Sequence, residues 1–238
     1  MITVENLRKI IIGFRYEKCF KITDSIGTLQ DDILRDPASP FRDSFFPKYS
    51  SYGDEGRILI NPETEASLII HPSDTIFQYS IEEGKIEEEL KWFKEDAVSY
   101  IVDRILGENH IRSITRVGIM YVHKVNSSRL AENIIKKISD GSVEAGDQFI
   151  LTYGKKDSTV DATLKKGVND FLNKITIVKQ LSKDEYEMTL DYQYYFLPYH
   201  DGIDNSKWDW KRFIDISKTY LTVKYYPAIN RVLESDKK

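Results

Sequence analysis

Arg15 and Arg116 each lie two residues from a glycine, Gly13 or Gly118, inside two long stretches of alternating polar and apolar residues. A guanidinium offers five donors in a fixed fork, so two of them on related strands are suited to gripping a carboxylate or a phosphate. The plainer reading is ion pairing with Glu17, or with Asp191 from another strand. Three histidines raise a different chemistry. If the chain brought His71, His123 and His200 together, they and Asp201 would suit a divalent metal or acid–base work. No two of the four histidines stand at ligand spacing on one element, and ordinary turn and strand-edge histidines are the alternative. The run Tyr192, Tyr194, Tyr195, Phe196 and Tyr199 would offer a stacking platform for bases or sugars, but Tyr192, Tyr194 and Phe196 share a face with Leu190, which makes them core. The candidate binding residues are therefore Arg15, Arg116, Tyr121, His123, Asp191 and Tyr195. No metal site or cofactor is assigned, and His71, His200 and Asp201 are held only as alternatives.

The elements that must position these residues read in order. From Lys9 to Ile22, residues Ile10, Ile12, Phe14, Tyr16, Phe20 and Ile22 fall on one face of an expected strand. Thr23 or Asp24 would cap a helix carrying Ile26, Leu29, Ile33 and Leu34, stopped by Pro37. Pro37 to Gly56 has no period and reads as a long loop. Strands are expected at Arg57–Asn61, Ala66–His71 and Thr75–Ile81, then a long helix from Lys85 to Leu106 closed by Gly107. The order then begins again. A strand at Ile114–Val125 leads into a helix capped by Ser127 or Ser128, strands at Asp147–Tyr153, Ile175–Leu181 and Tyr186–Phe196, and a helical stretch from Trp208 to Leu233 interrupted at Pro227. Val160, Leu164, Val168 and Phe171 stand at helical spacing and predict an inserted helix.

These patterns predict an α+β fold of two tandem strand-helix-three-strand-helix units, 1–110 and 111–238, with antiparallel sheet and the helices packed on one face. The other face and the seam between units are where a ligand or partner is expected.

The stretch from Arg116 through Gly118 and Tyr121 to Lys124 resembles the signature strand of a sporadically distributed prokaryotic family of uncharacterised proteins with no assigned function. Phe46-Pro47, Trp92 and Leu190-Asp191 extend the resemblance. Met120 and His123 depart from it, standing where arginine and asparagine are usual. The resemblance implies a fold and no activity.

Composition narrows the function classes. The 238 residues carry 34 Lys and Arg against 38 Asp and Glu, a net charge of −4, which disfavours a nucleic-acid partner. No window is apolar enough to span a bilayer, the N-terminus lacks the apolar core of a signal peptide, and the single Cys19 forms no internal disulfide, so a cytoplasmic protein is expected. Phosphate-loop, dinucleotide-binding, zincin and hydrolase-elbow motifs are missing. The expectation is a non-catalytic binding or assembly module for a protein or small ligand, with a protein partner or homo-oligomer, as part of a multi-gene system. The alternatives are a metal-dependent hydrolase or nuclease using His71, His123, His200 and Asp201, and a single-stranded nucleic-acid binder.

Overall fold

Strict two-residue alternation of apolar side chains commits a segment to a half-buried strand, and the structure uses it repeatedly. The computed structural model describes residues 1–48, 57–109, 111, 113–127, 150–158, 161, 164–167, 169–182, 184–197 and 208–234. In β1 (Leu7–Tyr16), Ile10, Ile12, Phe14 and Tyr16 are buried, while Ile11, Gly13 and Arg15 turn to the other side. The strands β2 (Phe46–Lys48), β3 (Arg57–Ile60), β4 (Ser67–Ile70) and β5 (Asp74–Ser80) follow, and the second half contributes β6 (Ile114–Asn126), β7 (Ile150–Asp157), β8 (Phe171–Gln180) and β9 (Glu185–Tyr195). They form one nine-stranded sheet, ordered β2-β3-β4-β5-β1-β6-β9-β8-β7. Every neighbouring pair is antiparallel. The α+β class expected from the sequence is thus observed, with both halves of the chain in a single sheet whose centre is the β1–β6 pair.

The helices lie on one face. They are α1 (Phe20–Arg35), α2 (Ile86–Trp92), α3 (Trp210–Tyr220) and α4 (Tyr226–Glu234). Below the first half, Phe77 of β5 stacks on Phe93, ring centroids 5.4 Å apart, and meets Phe41 edge-on at 5.4 Å. Below the second, the Tyr121 hydroxyl bonds Ser217 at 2.8 Å and Tyr192 packs on Phe213 at 5.7 Å. Such aromatic contacts contribute about 0.5–1.5 kcal/mol each beyond area burial.

Several boundaries differ from the sequence reading. β1 ends at Tyr16, and Phe20 and Ile22 open α1, where Phe20 is 68% exposed; Cys19 is the N-cap, its backbone N–H bonded to the Pro72 carbonyl at 2.7 Å. Thr23 and Asp24 therefore lie inside the helix. The expected loop after Pro37 contains β2, which edges the sheet beside β3. The helix that begins at Ile86 continues through wider π turns, Phe93–Val98 and Ile101–Gly107, so Gly107 belongs to it. Another π turn, Leu221–Tyr225, joins α3 to α4 without a break, and Pro227, at which the sequence reading interrupts the helix, follows two residues after it in α4. Of the expected inserted helix, Val160 and Val168 lie outside the described residues; among the described ones Phe171 opens β8, and the turn before it is tied by the Asp170 carboxylate, which accepts from the backbone N–H of Gly167 at 2.8 Å and of Leu197 at 2.9 Å. The helix expected after Ser127 lies outside the described residues.

Candidate functional site

The face opposite the helices is where the polar halves of the strands converge. Across its middle, ladder register sets side chains in rows. Asp74, Arg15, Arg116 and Tyr195 make one row, Ile76, Gly13, Gly118 and Gln193 the next, and Gln78, Ile11, Met120 and Asp191 the third. Two facing glycines leave the middle row without side chains over two strands. The resulting cavity, about 300 Å³, has Arg15 and Arg116 at one side, Ile11 and Met120 at the other, and Ile76 and Gln193 at its ends.

The arginines are an unusual pair. Directly opposed like charges on neighbouring strands are unfavourable. Among the described residues neither guanidinium forms an ion pair, so the expected partners Glu17 and Asp191 do not neutralise them. Arg116 is nevertheless fixed: its Nη1 donates to the Tyr195 hydroxyl at 3.3 Å and its guanidinium lies 5.7 Å from that ring's centroid. The hydroxyl donates onward to Gln193 Oε1 at 2.6 Å, and Gln193 Nε2 donates to Asp191 Oδ2 at 2.5 Å. A chain of hydrogen bonds therefore runs along β9 from Arg116 to Asp191.

Asp191 ends that chain in an apolar setting, with Met120 directly across on β6 and Ile175 directly across on β8. It is only 8% exposed. Desolvation pushes its carboxyl up to about 6, against the lowering influence of the Gln193 hydrogen bond and the Arg116 charge. Its Oδ1 lies 3.9 Å from where a Cβ on Gly118 would sit, so this oxygen faces the glycine gap.

Four of the six candidate binding residues, Arg15, Arg116, Asp191 and Tyr195, thus share one patch. Tyr121 and His123 do not join them, because odd positions of β6 face the helices. Tyr121 is spent on Ser217, and His123 is buried with Nδ1 3.1 Å from the Met188 carbonyl and Nε2 3.0 Å from the Tyr226 hydroxyl. Burial lowers the His123 pKa to about 4. This placement also separates the proposed metal ligands. His123 pairs with Leu7, whereas His71 lies beside Asp74, which pairs with Arg15 at the far end of β1. Eight residues of strand put roughly 26 Å between those positions. His200 and Asp201 lie outside the described residues, and among the described residues no cluster of three metal-ligating side chains occurs.

The aromatic platform is also accounted for. Tyr192, Tyr194 and Phe196 are core. Tyr195 has Arg116 on one side and Phe171 on the other, stacked at 4.6 Å and 6°, and Lys156 covers Phe171 at 4.0 Å. Those ring faces are occupied, which leaves no slot for a base; Tyr199 lies outside the described residues. On the helix side, a smaller groove of about 190 Å³ lies between α2 and α3. Its charges neutralise one another, Lys94 with Asp215 at 2.7 Å and Lys218 with Glu87 at 3.1 Å.

Sequence reasoning missed Gly13 and Gly118 as a cavity floor, and Gln193 as a bridge. The signal available was a glycine at the corresponding place in each long strand. No protein-family model matches the chain, and no curated protein matches it. Among the described residues, no helix is long and apolar enough to cross a membrane.

Proposed function

We propose that this protein is a binding module, without catalysis of its own, that takes a small ligand in the cavity above Gly13 and Gly118, where the two halves of the sheet meet. The observation carrying this reading is the paired absence of side chains at the centre of a sheet otherwise studded with them, flanked by charged groups that have not neutralised one another. A cavity of about 300 Å³ is at the lower end of the range for small-molecule sites. Its lining supplies recognition groups: two guanidinia, two carboxylates, one amide and an apolar wall.

The test is a thermal-shift screen of wild type and Gly118→Val against a panel of small metabolites. A Cβ at Gly118 meets only Gln193 Cγ at 3.5 Å and Asp191 Oδ1 at 3.9 Å, so valine fills the cavity while the fold stays intact. Compounds that stabilise wild type and not Gly118→Val are expected. Compounds that shift both proteins equally, or none at all, contradict the reading.

A further inference from the structure

The chemistry of the cavity is polarised, and the polarity specifies a ligand class. On one side of the glycine row stand Arg15 and Arg116, facing each other without a carboxylate partner among the described residues. On the other side stand Ile11 and Met120, directly opposed and uncharged. Asp191, in that second row, turns Oδ1 toward the glycine gap while Gln193 occupies Oδ2. Among the described residues no donor reaches Oδ1, which opens onto the cavity although the residue as a whole is only 8% exposed. A largely desolvated carboxylate that presents one oxygen to the cavity favours a cationic or N–H donor brought there by a ligand. Two arginines at facing strand positions suit the converse, an anion at their side of the gap. Asp74, across β1 from Arg15, completes a lining with two positive and two negative groups, so the site has no net preference for an anion alone.

We propose that the cavity binds a small zwitterion, an amino-acid-like molecule with its carboxylate between Arg15 and Arg116, its ammonium on Asp191 Oδ1, and its carbon skeleton against Ile11, Ile76 and Met120. This rests on the reading of the cavity as a small-ligand site and adds the ligand's class and orientation. The Arg116–Tyr195–Gln193–Asp191 chain acts as the ruler. It fixes one guanidinium and the carboxyl relative to each other, so the separation of the ligand's two charges is selected along with their signs.

Calorimetric titration of the full chain tests this with glycine, 4-aminobutyrate, 6-aminohexanoate and leucine as zwitterions, and butyrate and butylamine as single-charge controls. At least one zwitterion is expected to bind about tenfold or more tighter than both controls, the scale of one charge-assisted hydrogen bond. Asp191→Asn removes that preference and keeps butyrate binding; Arg116→Gln weakens zwitterion and butyrate together. The proposal is overturned if butyrate matches every zwitterion, if Asp191→Asn leaves the preference unchanged, or if none of the probes binds. The two claims fail separately. Metabolites other than zwitterions that stabilise wild type and spare Gly118→Val would leave the small-ligand site standing and sink the zwitterion.

Discussion

Arg15 and Arg116 stand directly opposite each other across the β1–β6 ladder, beside the facing pair Gly13 and Gly118. An arrangement that places like charges at the centre of a sheet opposes folding, and it persists here next to the gap those charges flank. The pair term is measurable by a double-mutant cycle with Arg15→Gln and Arg116→Gln in chemical denaturation. The second substitution should add less stability than the first, leaving a repulsive coupling of about 0.2–1 kcal/mol at low salt that fades near 1 M salt. An attractive coupling would mean that an anion or a hidden partner already bridges the pair.

Asp191 should also oppose folding, with a definite pH dependence. Its carboxyl is raised to about 6 from an ordinary 3.8. Below the ordinary value the group is protonated in both states and the fold has its full stability. As pH rises through about 6 the folded state carries a desolvated charge that the unfolded chain carries in water, and stability is lost. Asp191→Asn should therefore gain on the order of 2 kcal/mol at pH 8 and nothing near pH 3. Urea melts at the two pH values check this, and a variant less stable at pH 8 would show that the carboxylate is well solvated or paired.

His123 gives the opposite sign. Its imidazole is held neutral by burial, with the pKa lowered from 6.5 to about 4. The stability this contributes is complete above 6.5 and is lost as pH falls toward 4, because the unfolded chain takes up the proton first. His123→Gln should flatten this acid limb, a change on the order of 3 kcal/mol between pH 7 and pH 4. An unchanged acid profile would assign the limb to other groups.

Two glycines should respond in opposite ways to a side chain. A Cβ on Gly167 would lie 2.5 Å from both Asp170 Oδ1 and the Leu197 carbonyl, in the turn before β8. Gly167→Ala should cost about 1–3 kcal/mol. A Cβ on Gly13 would meet only Ile76 Cγ1 at 3.8 Å, so Gly13→Val should be neutral or stabilising by up to about 1 kcal/mol, since valine suits a strand better than glycine. Thermal melts of the two variants decide it. A destabilised Gly13→Val would mean that the glycine is needed by the fold rather than by the cavity.

Much of the sheet was legible because alternation survives translation into structure. Ile10, Ile12, Phe14 and Tyr16 in β1, and Tyr186, Met188, Leu190, Tyr192 and Tyr194 in β9, are buried as their period requires. Helix starts were harder. Phe20 and Ile22 continue the two-residue period of β1 yet open α1, because a short apolar pair fits either period and the turn at Cys19 is set by a distant carbonyl, that of Pro72. The site was legible only as types of residue. Arg15, Arg116 and Asp191 stood out by charge on alternating strands, but the facing of Gly13 with Gly118 follows from register between strands far apart in sequence. Asp191 aiming at the gap follows from β9 lying beside β6. His123 shows the converse: its type invited a metal, and its odd position on β6 sent it into the core.

The central claim is that the gap above Gly13 and Gly118 is a ligand site, and crystals soaked with a mixture of small amino acids and carboxylic acids test it most directly. The account predicts difference density above the two glycines in wild type, bounded by Arg15, Arg116 and Asp191, and none there in Gly118→Val. Ordered water alone in the wild-type gap, or density elsewhere that Gly118→Val retains, would contradict it.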